Sequence, residues 1–207
     1  MKEEEIPPGG TEVGELPWDP WRPEDVARLL AGLSVPWYVA AGWALDLFRG
    51  EQTREHEDLE IGVPATAFGA VRDALAGYNV EVAGSGRLWP LDSPAFHVMN
   101  QTWVSEPGTG VYRLDIFREP QRDGAWVCRR DETIRMPYEQ IIRRTGDGIP
   151  YLVPEIVLLF KAKHVRPKDQ ADFDGVLPLL DPDAAGWLRR MLARVHPGHA
   201  WIGALPA

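Results

Sequence analysis

The chain has 207 residues, a formal net charge of −9 and an apolar fraction of 44%, enough for one folded domain with a helical extension. Because phosphate backbones are bound by patches of Lys and Arg, the acidic balance argues against nucleic acid as a partner. No stretch approaches the roughly 20 apolar residues that span a bilayer. Cys128 is the single cysteine, which excludes an internal disulfide. These features predict a cytoplasmic protein with no membrane partner.

Hydrophobic spacing and composition divide the chain into three parts. Residues 1–20 are acidic and rich in Pro and Gly, and we expect a flexible lead-in there. Helical and strand-like patterns alternate over 21–150, which predicts an α/β core with a mixed sheet. Residues 151–207 predict a C-terminal helical segment whose last dozen residues are loosely held. The predicted elements are helices at 23–33, from 42, and at 64–78, strands at 36–40, 57–63, 79–83, 96–104, 111–118, 125–130 and 133–136, then helices at 154–163, around 173–180 and from 182.

Two carboxylates one residue apart, Asp58 and Glu60, mark the predicted strand over 57–63. Successive side chains of a strand alternate faces, so Asp58 and Glu60 share one face while Leu59 and Ile61 share the other. Two acids on one face repel each other unless a cation lies between them, and oxygen ligands suit Mg²⁺. Taken alone, such a pair is more often part of a solvated face.

The junction at Ala41 and Gly42 is the second informative feature. A short apolar strand ends there and a helix begins, with little side chain between them. Such a junction leaves backbone N–H groups accessible to a phosphate at the helix N-terminus. A phosphate cradle close in sequence to metal-binding carboxylates indicates a protein that handles nucleotides.

At these residues the sequence resembles a known family. The segments AGWALDL and TREHEDLEI resemble the G-G-W-A-x-D and T-R-x-H-x-D-h-D motifs of small-molecule nucleotidyltransferases with a polymerase-beta-like core. The pattern is most similar to the aminoglycoside 2''-adenylyltransferase and lincosamide nucleotidyltransferase groups. The run PEIVLLFKAKHVRPKDQADF resembles the end of that domain, so the matching segments frame residues 36–180. Ala41 departs from the family's glycine and Glu60 from its aspartate; we expect Ala41 to be tolerated unless its φ is positive.

A third carboxylate is predicted on the strand over 111–118. Asp115 alternates with Tyr112, Leu114 and Ile116, which we expect to share the opposite, apolar face. An acid on an apolar strand is costly to bury without a partner. The resemblance implies a third carboxylate that acts as base or further metal ligand, and Asp115 is our choice. The structural alternative is that Asp115 forms a salt bridge with a neighbouring arginine. The second candidate for the base is Asp92, which lies in a turn-like setting.

The resemblance also implies basic residues that contact the triphosphate. Lys161, near the end of the helix over 154–163, is the candidate, although a cation there also stabilises the helix dipole. Arg54 and His56 precede the metal strand and are candidates for contact with phosphate or acceptor. The alternatives are that Arg54 pairs with a nearby acid and that His56 fixes the loop.

Three aromatic residues, Trp89, Trp103 and Tyr112, are candidates for a wall that contacts the acceptor. Aromatic residues at such positions more often belong to the core.

The resemblance implies a Mg²⁺-dependent nucleotidyltransferase that moves a nucleoside monophosphate, AMP from ATP, onto a hydroxyl of a small molecule. An aminoglycoside-like antibiotic is the implied acceptor, and an acidic surface suits a cationic one. One alternative is transfer to tRNA or protein, as in toxins of this fold. Another is an inactive binding protein, which Ala41 and Glu60 favour.

Overall fold

The computed structural model describes residues 6–206, which form two compact units. The first unit contains residues 6–37 and 56–123, and the second contains residues 38–55 and 124–206. Both units are therefore built from separate stretches of the chain, whereas composition suggested boundaries at residues 20 and 150.

Strands and helices alternate along the chain. The strands are β1 Thr11–Glu12, β2 Tyr38–Val39, β3 Glu60–Pro64, β4 Asn79–Gly84, β5 Arg87–Pro90, β6 Gln101–Ser105, β7 Tyr112–Glu119, β8 Gln121–Arg122, β9 Ala125–Val127, β10 Arg135–Pro137, β11 Ile142–Arg144 and β12 Pro150–Leu152. The helices are α1 Pro23–Leu29, α2 Ala41–Arg49, α3 Phe68–Ala74, α4 Tyr138–Ile141, α5 Pro154–Lys161, α6 Pro167–Val176, α7 Pro182–Val195 and α8 Trp201–Ala204. The predicted α/β class is confirmed; β1, β5, β8, β11 and β12 were not predicted.

The first unit is built on a mixed sheet with the order β1-β5-β4-β6-β7-β3. β3 and β7 run parallel, and the other neighbouring pairs are antiparallel. One face of this sheet carries Ile61, Val82, Val104 and Ile116, all fully buried. These apolar residues form the core that fixes the strands carrying the predicted carboxylates.

Residues 11–21 are attached to this sheet, which corrects the expectation of a flexible lead-in for that stretch. β1 pairs with β5, and the backbone N–H groups of Asp19 and Trp21 donate to the carbonyls of Tyr112 and Arg113 at 3.1 and 3.0 Å. The physical reason is the Trp18 ring, which packs 5.3 Å from that of Trp103. Composition alone underestimated the anchoring effect of one tryptophan.

A β-bulge changes which way the start of β7 faces. Val104 pairs with Leu114, but the next residue of β6, Ser105, pairs with Tyr112, so Arg113 is the extra residue. The bulge turns Tyr112 to the face of Trp103, whose ring lies 5.7 Å away. The prediction that Tyr112 shares the apolar face of Leu114 and Ile116 is therefore wrong.

The second unit combines short strands with most of the helices. β2 pairs in parallel with β12, β11 pairs antiparallel with β12, and β9 with β10. Trp201 of α8 stacks on Phe173 of α6 with ring centroids 4.3 Å apart. Trp201 and Leu205 are buried, so the expectation of a loosely held end is wrong for this segment. Within residues 6–206, no helix has the length and apolarity to cross a membrane.

Candidate active site

The structure brings two of the predicted carboxylates together on adjacent strands of the first unit. Glu60 opens β3 and lies directly opposite Asp115 of the parallel strand β7. Adjacent strands are about 4.8 Å apart, so the two side chains leave the sheet side by side. Asp58 lies two residues before Glu60, ahead of the strand itself. The Asp115 N–H donates to the Leu59 carbonyl at 2.9 Å, which keeps this approach to β3 aligned with β7.

Burial follows the predicted alternation of faces along this segment. Leu59 and Ile61 are fully buried, whereas Asp58 and Glu60 are half-buried. An acid that is only half-buried keeps part of its hydration while still facing its neighbours.

Asp115 is buried and is oriented by a neutral side chain. The Gln101 amide of β6 donates to its Oδ2 at 2.7 Å. Arg113, the nearest arginine in sequence, instead pairs with Asp19 and Glu106. Asp92, the other candidate for the base, lies in an exposed turn after β5. Sequence reasoning missed Gln101, because only the register between β6 and β7 reveals that it reaches Asp115.

The donor set of this site fits Mg²⁺ if the nucleotide supplies the remaining ligands. Among residues 6–206, no group of three or more His, Cys, Asp or Glu side chains is placed to hold a metal by itself. Mg²⁺ sites of nucleotide enzymes commonly use one or two protein carboxylates, with phosphate oxygens and waters completing the octahedron. Glu60 lies in register with Asp115, and Asp58 is nearby in sequence. These carboxylates could supply the protein ligands of such a site, with phosphate oxygens and waters supplying the others.

Ala41 has a left-handed backbone at the start of α2. Its φ is +48°, while the preceding Ala40 is extended with φ −115° and ψ −178°. A non-glycine residue in this region costs roughly 1–2 kcal/mol, because Cβ crowds the following carbonyl oxygen. The condition for tolerating Ala41 is therefore not met, and the glycine of the resembled motif has a steric explanation. Gly42 follows and is buried.

Two further motif residues hold the loop that leads towards Asp58. Asp46 of α2 is buried, and its Oδ1 accepts a hydrogen bond from the Thr53 hydroxyl at 2.6 Å. The Asp46 carbonyl accepts from the N–H groups of Gly50 and Glu51 at 2.9 and 3.2 Å. Asp46 and Thr53 belong to the two resembled motifs, but no sequence pattern indicates that they pair.

Lys161 and Arg54 meet in an ion cluster of the second unit. The cluster comprises Arg54, Lys161, Arg166, Asp169 and Asp172. The Lys161 ammonium lies 2.8 Å from Asp169 Oδ1 and 3.0 Å from Asp172 Oδ2, and Arg54 Nε lies 3.5 Å from Asp172 Oδ1. Arg54 is thus paired with Asp172 and not with an acid of its own loop. His56 is half-buried in that loop.

The ion cluster strongly favours the charged form of Asp169. Burial of this carboxyl acts to raise its pKa, but hydrogen bonds from Arg166 and Lys161 outweigh burial and hold the pKa well below the ordinary value. Arg166 Nε donates to Asp169 Oδ2 at 2.7 Å. Three cations face two carboxylates here, so the five side chains carry one positive charge in excess.

The three aromatic candidates do not lie together. Trp89 pairs with Val82 and packs with Ala95 and Met99 in the core, 2% exposed. Trp103 pairs with Asp115 and therefore lies on the carboxylate face. The bulge adds Tyr112 to the same face. Tyr112 is 5% exposed in an apolar cluster with Ala83 and Leu88, against which Trp103 packs, so of the three only the half-buried Trp103 remains a candidate for contact with an acceptor.

Comparison with solved structures identifies the fold as that of nucleotidyltransferases. The chain is similar to a lincomycin-bound lincosamide antibiotic adenylyltransferase, LnuA, with 22% identity and a TM-score of 0.52 over 79% of this chain and 96% of the other. It is also similar to the solution structure of ANT(2'')-Ia, with 16% identity and a TM-score of 0.54 over 83% and 89%. The predicted fold is confirmed.

A match to a family model makes the resemblance more specific. The model of the aminoglycoside-2''-adenylyltransferase family matches residues 24–90, which include α2, the TREH segment and β3. The predicted resemblance to this group is confirmed. No curated protein matches the chain.

Proposed function

We propose that the chain is a metal-dependent adenylyltransferase that moves AMP from ATP onto a hydroxyl of a small antibiotic. The observation that supports it most is Glu60 opposite Asp115 in a nucleotidyltransferase fold, with Asp58 and Glu60 both inside the residues that match the family model. The neighbours named as antibiotic adenylyltransferases suggest the acceptor class. The net charge of −9 favours a cationic member of that class.

In the proposed reaction each carboxylate has one role. Asp58 and Glu60 hold Mg²⁺, which would neutralise the phosphate oxygens when bound. Asp115 accepts the proton of the acceptor hydroxyl as that oxygen forms its bond to the α-phosphorus and pyrophosphate leaves. Gln101 keeps the Asp115 carboxylate in one orientation through the hydrogen bond at 2.7 Å. Asp115 also remains a candidate for a further metal ligand.

On the nucleotide side, the proposal uses backbone and basic groups of the second unit. The first N–H groups of α2 at Ala41 and Gly42 suit a phosphate, because early helical N–H groups have no partner within the helix. Lys161 and Arg54 belong to the ion cluster of this unit, and we propose that their cationic groups contact the phosphates. His56, which precedes Asp58 in the loop, is proposed to contact phosphate or acceptor.

The metal assignment predicts that ATP binds weakly without a divalent ion, since the acids and the triphosphate repel each other. ATP titrated calorimetrically in Mg²⁺ and in chelator should differ at least about tenfold in affinity, or about 1.4 kcal/mol. Glu60→Gln should remove most of this difference, and the matched change Asp92→Asn in an exposed turn should retain it. Equal affinities in Mg²⁺ and chelator for the parent would exclude the metal assignment.

The acceptor is tested by pyrophosphate release with each nucleotide and with lincomycin, an aminoglycoside, tRNA or a protein extract. Release with ATP and a small antibiotic supports the proposal. Incorporation only into tRNA or protein would assign the acceptor to the toxin-like alternative. ATP binding without release for any acceptor would favour the inactive binding protein, for which Ala41→Gly with Glu60→Asp should restore release.

A further inference from the structure

Arg118 of β7 is a buried cation on the face of the sheet opposite the predicted carboxylates. It is 5% exposed and pairs with Val63 of β3, which is fully buried. Side chains of a strand alternate faces, so Arg118 shares the core face with Ile116 and does not lie beside Asp115. Burial lowers the pKa of Arg118 to about 10, and the guanidinium therefore keeps its charge at neutral pH. A buried cation is costly unless several acceptors surround it.

The acceptors of Arg118 are backbone carbonyls of residues 96–100, which lead into β6. Its Nη1 donates to the Phe96 carbonyl at 2.5 Å, its Nη2 donates to the Met99 carbonyl, and its backbone N–H donates to the Asn100 carbonyl at 2.7 Å. The guanidinium also lies 4.0 Å from the centroid of the Phe96 ring. Pro94–His97 form one 3₁₀ turn, and the last carbonyls of such a turn have no donor within it. Arg118 supplies donors to this end of the turn.

Residues 96–100 end at Gln101, whose amide donates to Asp115. Gln101 opens β6 and pairs directly with Phe117, so its side chain emerges on the face of Asp115. Its Nε2 lies 2.7 Å from Asp115 Oδ2. Three of the residues just before Gln101 are exposed, namely His97, Val98 and Asn100. Packing from the solvent side therefore does not fix this backbone, and the hydrogen bonds from Arg118 restrain it from the core side.

We propose that Arg118 is a positioning residue of the proposed reaction, which acts through Gln101 on the orientation of Asp115. The proposal rests on the proposed function, because it assigns the proton of the acceptor hydroxyl to Asp115. A shift of about 1 Å in the Gln101 backbone would stretch a bond of 2.7 Å beyond hydrogen-bonding distance. Misplacement on that scale costs up to about a hundredfold in rate.

This role requires an arginine. The planar guanidinium donates to two carbonyls from one fork while its face stacks on Phe96, whereas a lysine ammonium is a point charge with no planar face. Arg118→Lys therefore retains the charge but loses the fork. Arg113→Lys is the matched control, because Arg113 lies on the same strand and pairs with the carboxylates of Asp19 and Glu106.

The first test measures the Gln101 side chain directly and does not depend on turnover. The NMR resonances of its amide are assigned by their loss in Gln101→Met, and their hydrogen exchange is then measured in the full chain. We expect exchange at least about tenfold faster in Arg118→Lys than in the parent, which corresponds to about 1.4 kcal/mol of protection. Arg113→Lys should change this exchange by less than about twofold. Equal exchange in the parent and in Arg118→Lys would overturn the proposal.

The second test asks whether Arg118 affects the rate through Gln101. With ATP and an acceptor that gives pyrophosphate release, Arg118→Lys should lower kcat about tenfold and leave ATP affinity within about twofold. Gln101→Met should lower kcat at least as much. In the double variant, Arg118→Lys should lower kcat by less than a further twofold or so, because the bond that it protects is already absent. Losses that multiply in the double variant, or an unchanged rate in Gln101→Met, would exclude the route through Gln101.

A milder variant tests the proposal if Arg118→Lys does not fold. Phe96→Leu removes the ring that lies 4.0 Å from the guanidinium and leaves the backbone carbonyls in place. We expect Gln101 exchange to be about threefold faster in Phe96→Leu, as for loss of one cation–π contact. Unchanged exchange in this variant would contradict the proposal. Faster exchange in a chain that releases no pyrophosphate with any acceptor would support the restraint on Gln101 while the proposed function fails.

Discussion

Asp169 and Asp172 of the second unit and Asp115 of the first receive hydrogen bonds from different kinds of donor. In the second unit, Asp169 and Asp172 receive Lys161, and Asp169 also receives Arg166. In the first unit, a neutral amide donates to Asp115 and a neutral hydroxyl donates to Glu81. A cation both orients a carboxylate and offsets its charge, whereas a neutral donor orients it without adding a charge. From this comparison we predict that Asp169 stabilises the fold and that Asp115 acts in the proposed reaction.

The largest expected effect comes from neutralising Asp115, which tests its proposed role in the reaction. Asp115→Asn should keep the fold and most of the ATP affinity, since an asparagine oxygen still accepts from Gln101, while turnover falls roughly 10²–10⁴-fold. Single-turnover rates and thermal melts measure the two effects. Asp92→Asn serves as the control and should leave the rate within a few-fold. A variant that unfolds without a specific loss of rate would make Asp115 a structural acid.

Asp169 should behave in the opposite way. Asp169→Asn removes the charge that Lys161 and Arg166 share at a side chain that is 1% exposed and leaves Lys161 paired with Asp172, so the free energy of unfolding should fall by about 3 kcal/mol. Denaturant unfolding measures this change in free energy. Asp174→Asn, on the exposed side of the same helix, is the control. A change below about 1 kcal/mol would show that the cluster is not a stabilising one.

The difference in stability between the parent and Asp169→Asn should depend on pH. The pKa of Asp169 is lowered in the folded state, so its contribution is complete above the ordinary aspartate pKa of about 3.9 and is lost as the pH falls further. The difference in melting temperature between parent and Asp169→Asn should therefore be constant from pH 7 to 5 and narrow below about pH 4. A difference that stays constant to pH 3 would contradict the assignment.

The smallest expected effect concerns Ala41. Ala41→Gly should relieve the cost of the positive φ, partly offset by the extra freedom of glycine in the unfolded chain, for a net gain of about 0.5–1 kcal/mol. Ala44→Gly, in the interior of α2, should instead destabilise the protein by about 1 kcal/mol. Chemical denaturation of the two variants checks the sign. Equal destabilisation by both would mean that Ala41 is unstrained.

Much of the first unit followed from local pattern. Alternation of apolar and acidic residues predicted that Asp58 and Glu60 share one face and that Asp115 lies opposite an apolar face, because side chains of a strand alternate regardless of the rest of the fold. Where alternation was interrupted, the prediction failed. The extra residue at Arg113 turned Tyr112 towards Trp103, and such a bulge arises from pairing between distant strands.

The sequence by itself determined the α/β class, the motif pair and the three candidate carboxylates, since these depend on periodicity and short spacings. Only the tertiary structure decided which acids meet. It placed Glu60 opposite Asp115, and it paired Lys161 with Asp169 and Asp172. It also revealed the left-handed backbone of Ala41. Strand register and helix packing set these features, and both depend on residues far apart in the chain, so no short window of sequence contains them.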